Sequence, residues 1–175
     1  MESSELIRKM PFSLEAEQSV LGSILIDPEC FPEIASMLKS DDFYLESHAA
    51  IYLAMQDLFL QSRTIDVVTL IDALVKNGVY GTGDEGRKYI KIIAEIVPSA
   101  ANVKDYAKIV RDKNILRRLI GVCSEISDTA YSEQDDVTHL LDSAEQAIFA
   151  IAENNETKGF THIREAILAN YEHIK

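Results

Sequence analysis

Apolar residues recur every three to four positions through most of the chain, the spacing of helices that each hide one face. Pro11-Phe12-Ser13 opens the first, with Ser13 as N-cap, Glu15 and Glu17 in the favoured first turn, and Leu14, Val20, Leu21, Ile24 and Leu25 inward until Asp27-Pro28 stops it. A short helix over 31–38 turns Ile34, Ala35 and Leu38 inward, and Ser40-Asp41-Asp42-Phe43-Tyr44 reads as a turn carrying two aromatic anchors. A third helix covers 47–61. Asp66 caps a fourth over 67–76, which Asn77-Gly78 ends and which, apolar on most sides, is expected at the centre of the head. Four of the seven glycines fall between Gly78 and Gly86, a flexible stretch before a fifth helix over 87–95.

The stretch from Asn102 to Tyr131 has no proline and one glycine, Gly121, and predicts a single helix of about thirty residues; globular helices typically run about 8–20. Its apolar side changes midway. Val103, Tyr106, Ala107 and Val110 share one face, Arg111-Asp112-Lys113-Asn114 interrupts, and Ile115, Leu116, Leu119, Ile120, Val122, Cys123, Ile126 and Ala130 line a largely different one. The first half therefore belongs to a globular head. The second half, with a returning helix over 137–152, forms an antiparallel hairpin.

Both hairpin arms carry more apolar surface than one partner helix covers. Leu116, Leu119, Cys123, Ile126 and Ala130 have the 3-4-3-4 spacing of a coiled seam, and Val137, Leu140, Leu141, Ala144, Ala147, Ile148 and Ile151 repeat a wide stripe on the return. A surface helix normally buries a face of roughly 100°. A second hairpin, in a two-fold homodimer, would cover the excess; the alternative is a head that folds over it. The expected class is all-α: a tail (1–10), a compact head of five or six helices (11–99), the hairpin (100–153), a polar linker (154–160) and an amphipathic helix (161–175) with no partner left in the chain.

Charge narrows the range of partners. The net charge is −12, opposite to the basic footprint of a nucleic-acid surface, so little or no direct DNA binding is expected. Between residues 100 and 131 six basic residues (Lys104, Lys108, Arg111, Lys113, Arg117, Arg118) outnumber four acids, whereas 133–157 holds seven acids and no Lys or Arg. Such a division is either an ordinary solvated face or one that steers a charged protein partner. No apolar run is long enough for a membrane span. The acidic start, Met1-Glu2-Ser3-Ser4-Glu5, is unlike a secretory signal. Cys30 and Cys123 sit among apolar residues and read as buried thiols.

Catalytic chemistry is hard to find. His48, His139, His162 and His173 are scattered, without metal-ligand spacing. There is neither a G-x-x-x-x-G-K-[ST] phosphate loop nor a G-x-S-x-G elbow. Gly81-Thr82-Gly83-Asp84-Glu85-Gly86 fits G-x-G-x-x-G, but no strand leads into it and its acids would repel phosphate. Pattern and composition stop at an acidic, all-helical, dimerising interaction module.

Several strings go further. Pro11-Phe12-Ser13-Leu14-Glu15-Ala16-Glu17-Gln18-Ser19-Val20-Leu21-Gly22, Asp41-Asp42-Phe43-Tyr44 with His48, Ile65-Asp66 with Thr69-Leu70, Pro98-Ser99-Ala100-Ala101-Asn102-Val103 with Tyr106-Ala107-Lys108-Ile109-Val110-Arg111, and Leu140-Leu141-Asp142 through Ala144-Glu145 to Glu153 stand in order. Together they resemble the N-terminal domain of the DnaB family of bacterial replicative DNA helicases. The resemblance implies a non-catalytic assembly and docking domain followed by a linker helix and a RecA-like motor. ATP and Mg would belong to that absent motor, and this chain would hold no cofactor. It also implies dimers formed through hairpins, a hexameric ring, recruitment of the primase DnaG, contact with a helicase loader, and work in the bacterial cytoplasm at the nucleoid-associated replisome. Carried over by position, primase contacts fall on Tyr89, Ile120, Ile126 and Leu140. The hairpin set expected to self-associate is Leu116, Leu119, Cys123, Ile126, Leu141, Ala144, Ile148 and Phe149. The rival reading is a free-standing helical adaptor or regulator without a motor.

Overall fold

Ser13 begins the ordered chain as its own pattern requires: its hydroxyl accepts the Ala16 amide at 3.2 Å and starts helix α1, Leu14–Ile26. The computed structural model describes residues 9–80, 83–132 and 136–155; the expected tail up to residue 8 and the expected helix over 161–175 lie outside them. Among the described residues there are seven α-helices, two short 3₁₀ turns (Pro28–Cys30 and Ser40–Asp42) and no strand. After α1 come α2 (Phe31–Met37), α3 (Glu46–Leu60), α4 (Val67–Lys76), α5 (Gly83–Ile96), α6 (Val103–Ser132) and α7 (Val137–Asn155). The all-helical class is as expected. The chain divides into two units, Met1–Arg117 and Arg118–Lys175, with α6 contributing to both.

In the first unit α1 packs on α5 and α3, and α4 on α3 and α5. The approach of α1 to α5 is close enough to require Gly22, since any Cβ there would collide with the Ile93 carbonyl oxygen. Val20, Leu21, Ile24, Ile51, Met55, Leu58, Leu70, Leu74, Ile90 and Ile93 build a continuous core. Into it Val103, Ala107 and Val110 insert from the first half of α6. Phe31, Phe43 and Tyr52 cluster beside it with ring centroids 5.0–5.7 Å apart, and Tyr52 donates its hydroxyl to the Leu38 carbonyl at 3.1 Å. Burial pushes that phenol well above its ordinary range.

Several expected positions are corrected. Helix α4 is not central: only Leu70, Ile71 and Leu74 are buried and Val68 is 75 % exposed. An apolar residue count says how much surface could be hidden, not how many neighbours arrive to hide it. Ala35 faces outward, Leu14 is exposed, and of the two aromatic anchors Phe43 is buried while Tyr44 lies at the surface. Helix α5 begins earlier than expected and absorbs Gly83 and Gly86. The latter leaves room for Tyr80, whose ring a Cβ would meet at 2.7 Å. Gly78, at φ 72°, holds the left-handed stop of α4.

In the second unit, Val122, Ile126 and Thr129 of α6 and Leu140, Ser143 and Ala147 of α7 line one cavity of about 120 Å³. The inward line is narrow: Val122, Ile126, Thr129, Leu140, Ala144 and Ala147 are half-buried, whereas Leu119, Cys123 and Ala130 are exposed. Three of the four positions of the expected seam beyond Arg117 are therefore uncovered within the chain, as is Leu116 before it. Ile151 is the one buried hydrophobic residue among those described in this unit.

Candidate functional site

Two surfaces hold the residues singled out for binding. On the second unit the self-association set is mostly uncovered: Leu141 is 65 % exposed, Phe149 64 %, and Cys123 and Ile148 are exposed as well, as is Leu119 at 38 %. Ile126 and Ala144 are half-buried between α6 and α7, and Leu116, also exposed, lies within the first unit. Cys123 is thus not a buried thiol. Cys30 is half-buried and free, and burial beside the Asp27 carboxylate pushes its thiol up to about 11. Asp142, Glu145, Gln146 and Phe149 line an open depression of about 340 Å³ on α7. Of the positions implied for primase, Ile120 stands out on α6, while Ile126 and Leu140 both line the cavity between the helices.

Tyr89 lies in the first unit and is held from below. Its hydroxyl is 2.6 Å from His48 Nε2, and Gln18 Nε2 donates to it at 3.2 Å. The two rings stack with centroids 5.9 Å apart and planes 11° apart. His48 is fully buried, and its Nδ1 meets Glu17 Oε2 at 2.7 Å. Glu17, only 1 % exposed, also accepts the Tyr44 amide at 2.7 Å and the Leu45 amide at 3.4 Å. Sequence reasoning missed this network. A glutamate in the first turn of a helix is explained by the helix dipole, and a lone histidine between apolar neighbours carries no periodic signal. The signal present was the closeness of His48 to the Tyr44-Leu45 turn, whose amides needed an acceptor.

A second cluster joins the N-terminal arm to α6 within the first unit. Arg117 donates to the Pro11 carbonyl at 2.9 Å and to the Asp42 carbonyl at 2.6 Å, and Asn114 donates to the Asp42 carboxylate. Its guanidinium sits 5.5 Å from the centroid of Tyr44, which stacks on Phe12 at 4.5 Å. Partial burial draws the Arg117 guanidinium below its ordinary value, opposed by the Glu17 and Asp42 carboxylates. The polar interruption of the long helix is thus where it fastens to the Asp42 turn. Among the described residues no group of three or more His, Cys, Asp or Glu could hold a metal ion, and no helix is long and apolar enough to cross a membrane.

A helical head on a buried polar brace, followed by two helices with uncovered apolar residues, defines an all-helical module. Comparison with known proteins makes it specific: the family model described as the DnaB-like helicase N-terminal domain matches residues 9–112, more than half of the chain, and the chain belongs to that family. It is 38 % identical over 168 residues to the replicative DNA helicase DnaC of Bacillus subtilis (strain 168), covering 96 % of this chain and 37 % of that protein. It is 42 % identical over 149 residues to the replicative DNA helicase DnaB of Pasteurella multocida (strain Pm70), covering 84 % and 32 %. The chain thus spans about a third of the length of these relatives. Among solved structures, the N-terminal domain of the DnaB helicase from Mycobacterium tuberculosis superposes with a TM-score of 0.75 at 33 % identity, covering 81 % of this chain and 99 % of that one. A DnaB-like replicative helicase whose structure was described with its primase interactions shares the fold, with a TM-score of 0.63 at 22 % identity over 93 % of this chain and 36 % of that one.

Proposed function

We propose that this chain is the non-catalytic assembly and partner-docking domain of a hexameric replicative DNA helicase of the bacterial cytoplasm. The observation that carries the reading is the set of uncovered apolar residues Leu119, Cys123, Leu141 and Ile148, with the exposed ring of Phe149 beside Asp142 and Glu145, on helices where few side chains are even half-buried. Exposed apolar surface of that extent marks an interface. A second copy, offering the same face by two-fold symmetry, is its occupant, and pairs of chains then build the collar of a hexamer. Membership in the family supports this, as does the length of the relatives. The remaining two thirds of such a protein would carry the RecA-like motor, ATP, Mg and the unwinding of DNA.

Primase is the docked partner, meeting Ile120, Ile126 and Leu140 on the second unit and Tyr89 on the first; a helicase loader engages the assembled ring. Static light scattering of the chain over a concentration series tests assembly: the mass of two chains is expected, rising toward six at high concentration. The mass of a single chain throughout would overturn it. Ile120→Asp is expected to weaken primase binding at least tenfold in a calorimetric titration without changing the urea melt.

A further inference from the structure

We propose that Glu17 and His48 are positioning residues for partner recognition, fixing through Tyr89 the surface that α5 offers to primase. The inference rests on the reading above that Tyr89 belongs to the primase contact.

Its basis is the direction of the hydrogen bonds. Glu17 receives two backbone amides, from Tyr44 and Leu45, and a carboxylate only accepts. His48 Nδ1, at 2.7 Å, must therefore carry a proton toward it. In the neutral ring Nε2 is then an acceptor, and Tyr89 donates its hydroxyl hydrogen to it. The oxygen of that hydroxyl keeps a lone pair for Gln18 Nε2. Every donor has an acceptor in this order. Were the Tyr89 hydroxyl turned outward, His48 Nε2 would be left buried and unpaired.

The chain of bonds thus begins at two amides of the Tyr44-Leu45 turn, crosses the interior through two buried side chains and ends on a half-buried tyrosine. A tyrosine has two side-chain torsions. The bond to Nε2 and the stacked His48 ring fix both, so Tyr89 meets a partner in one orientation. Apolar residues could have filled the same space with no polar group to satisfy. What they would not supply is a directed hold on one surface ring. Ordering a side chain on binding weakens affinity by roughly three- to tenfold, and the brace removes that cost before primase arrives.

The test is a double-mutant cycle read by calorimetric titration of primase, each variant corrected for its folded fraction from a urea melt. His48 is fully buried and touches no partner, so His48→Asn reaches primase only through what it holds. His48→Asn and Tyr89→Phe are each expected to weaken binding roughly three- to tenfold, and the double variant no further than the worse single one. If His48→Asn does not fold, Glu17→Gln, equally buried, replaces it in the cycle. Unchanged affinity in the buried variant, or effects that simply add, would overturn the proposal and leave the brace a stabilising feature only. Ile120→Asp in parallel separates the two ideas: if it too leaves affinity unchanged, the docking reading itself falls and takes this inference with it.

Discussion

The two units of the chain put their apolar residues to opposite ends. In residues 9–117 five helices and the first half of a sixth meet on all sides, and the side chains at their meeting points are fully shielded. In residues 118–155 two helices meet along one line, and leucine, isoleucine and phenylalanine side chains remain in water. Burying a large apolar side chain stabilises by about 1.5–3 kcal/mol. The first unit realises that gain within one molecule, while in the second most of these side chains are uncovered.

The sharpest break in that contrast is a cavity in the first unit. Leu70→Ala, at a fully buried site, should lower stability by about 2–5 kcal/mol in a urea melt. Next comes the uncovered face. Leu141→Asp with Phe149→Asp should raise the dimer dissociation constant by about 100-fold or more, read by light scattering, while the urea midpoint of the first unit stays put. An equal fall in both would erase the distinction between the units. A smaller effect belongs to the end of one helix. Asp66 accepts the Val68 amide at 2.7 Å and the Thr69 amide at 3.0 Å, so Asp66→Ala should cost about 1 kcal/mol.

The smallest effect is chemical. The thiolate is the form that reacts, and the Cys30 thiol, raised to about 11, stays protonated at pH 8, so a disulfide reagent should label Cys123 at least about tenfold faster. Because the raised value delays ionisation, Cys30 labelling should accelerate as pH climbs toward about 11. Equal rates at pH 8 would count against its burial.

Much of this protein was legible in its residues. Ser13, Asp66 and Gly78 mark helix ends through local chemistry, and local chemistry needs no knowledge of the fold. The change of apolar face around Arg111–Asn114 announced that one helix serves two units, and the family strings identified the domain. Which apolar residues are covered was decided elsewhere. Val68 and Leu14 look like core and face water, since coverage depends on a neighbour that arrives from a distant part of the chain. The Glu17–His48–Tyr89 brace and the Arg117 clamp are likewise tertiary creations. Their partners lie 31 to 106 residues apart, and no spacing along a chain encodes a hydrogen bond that exists only once three helices have met.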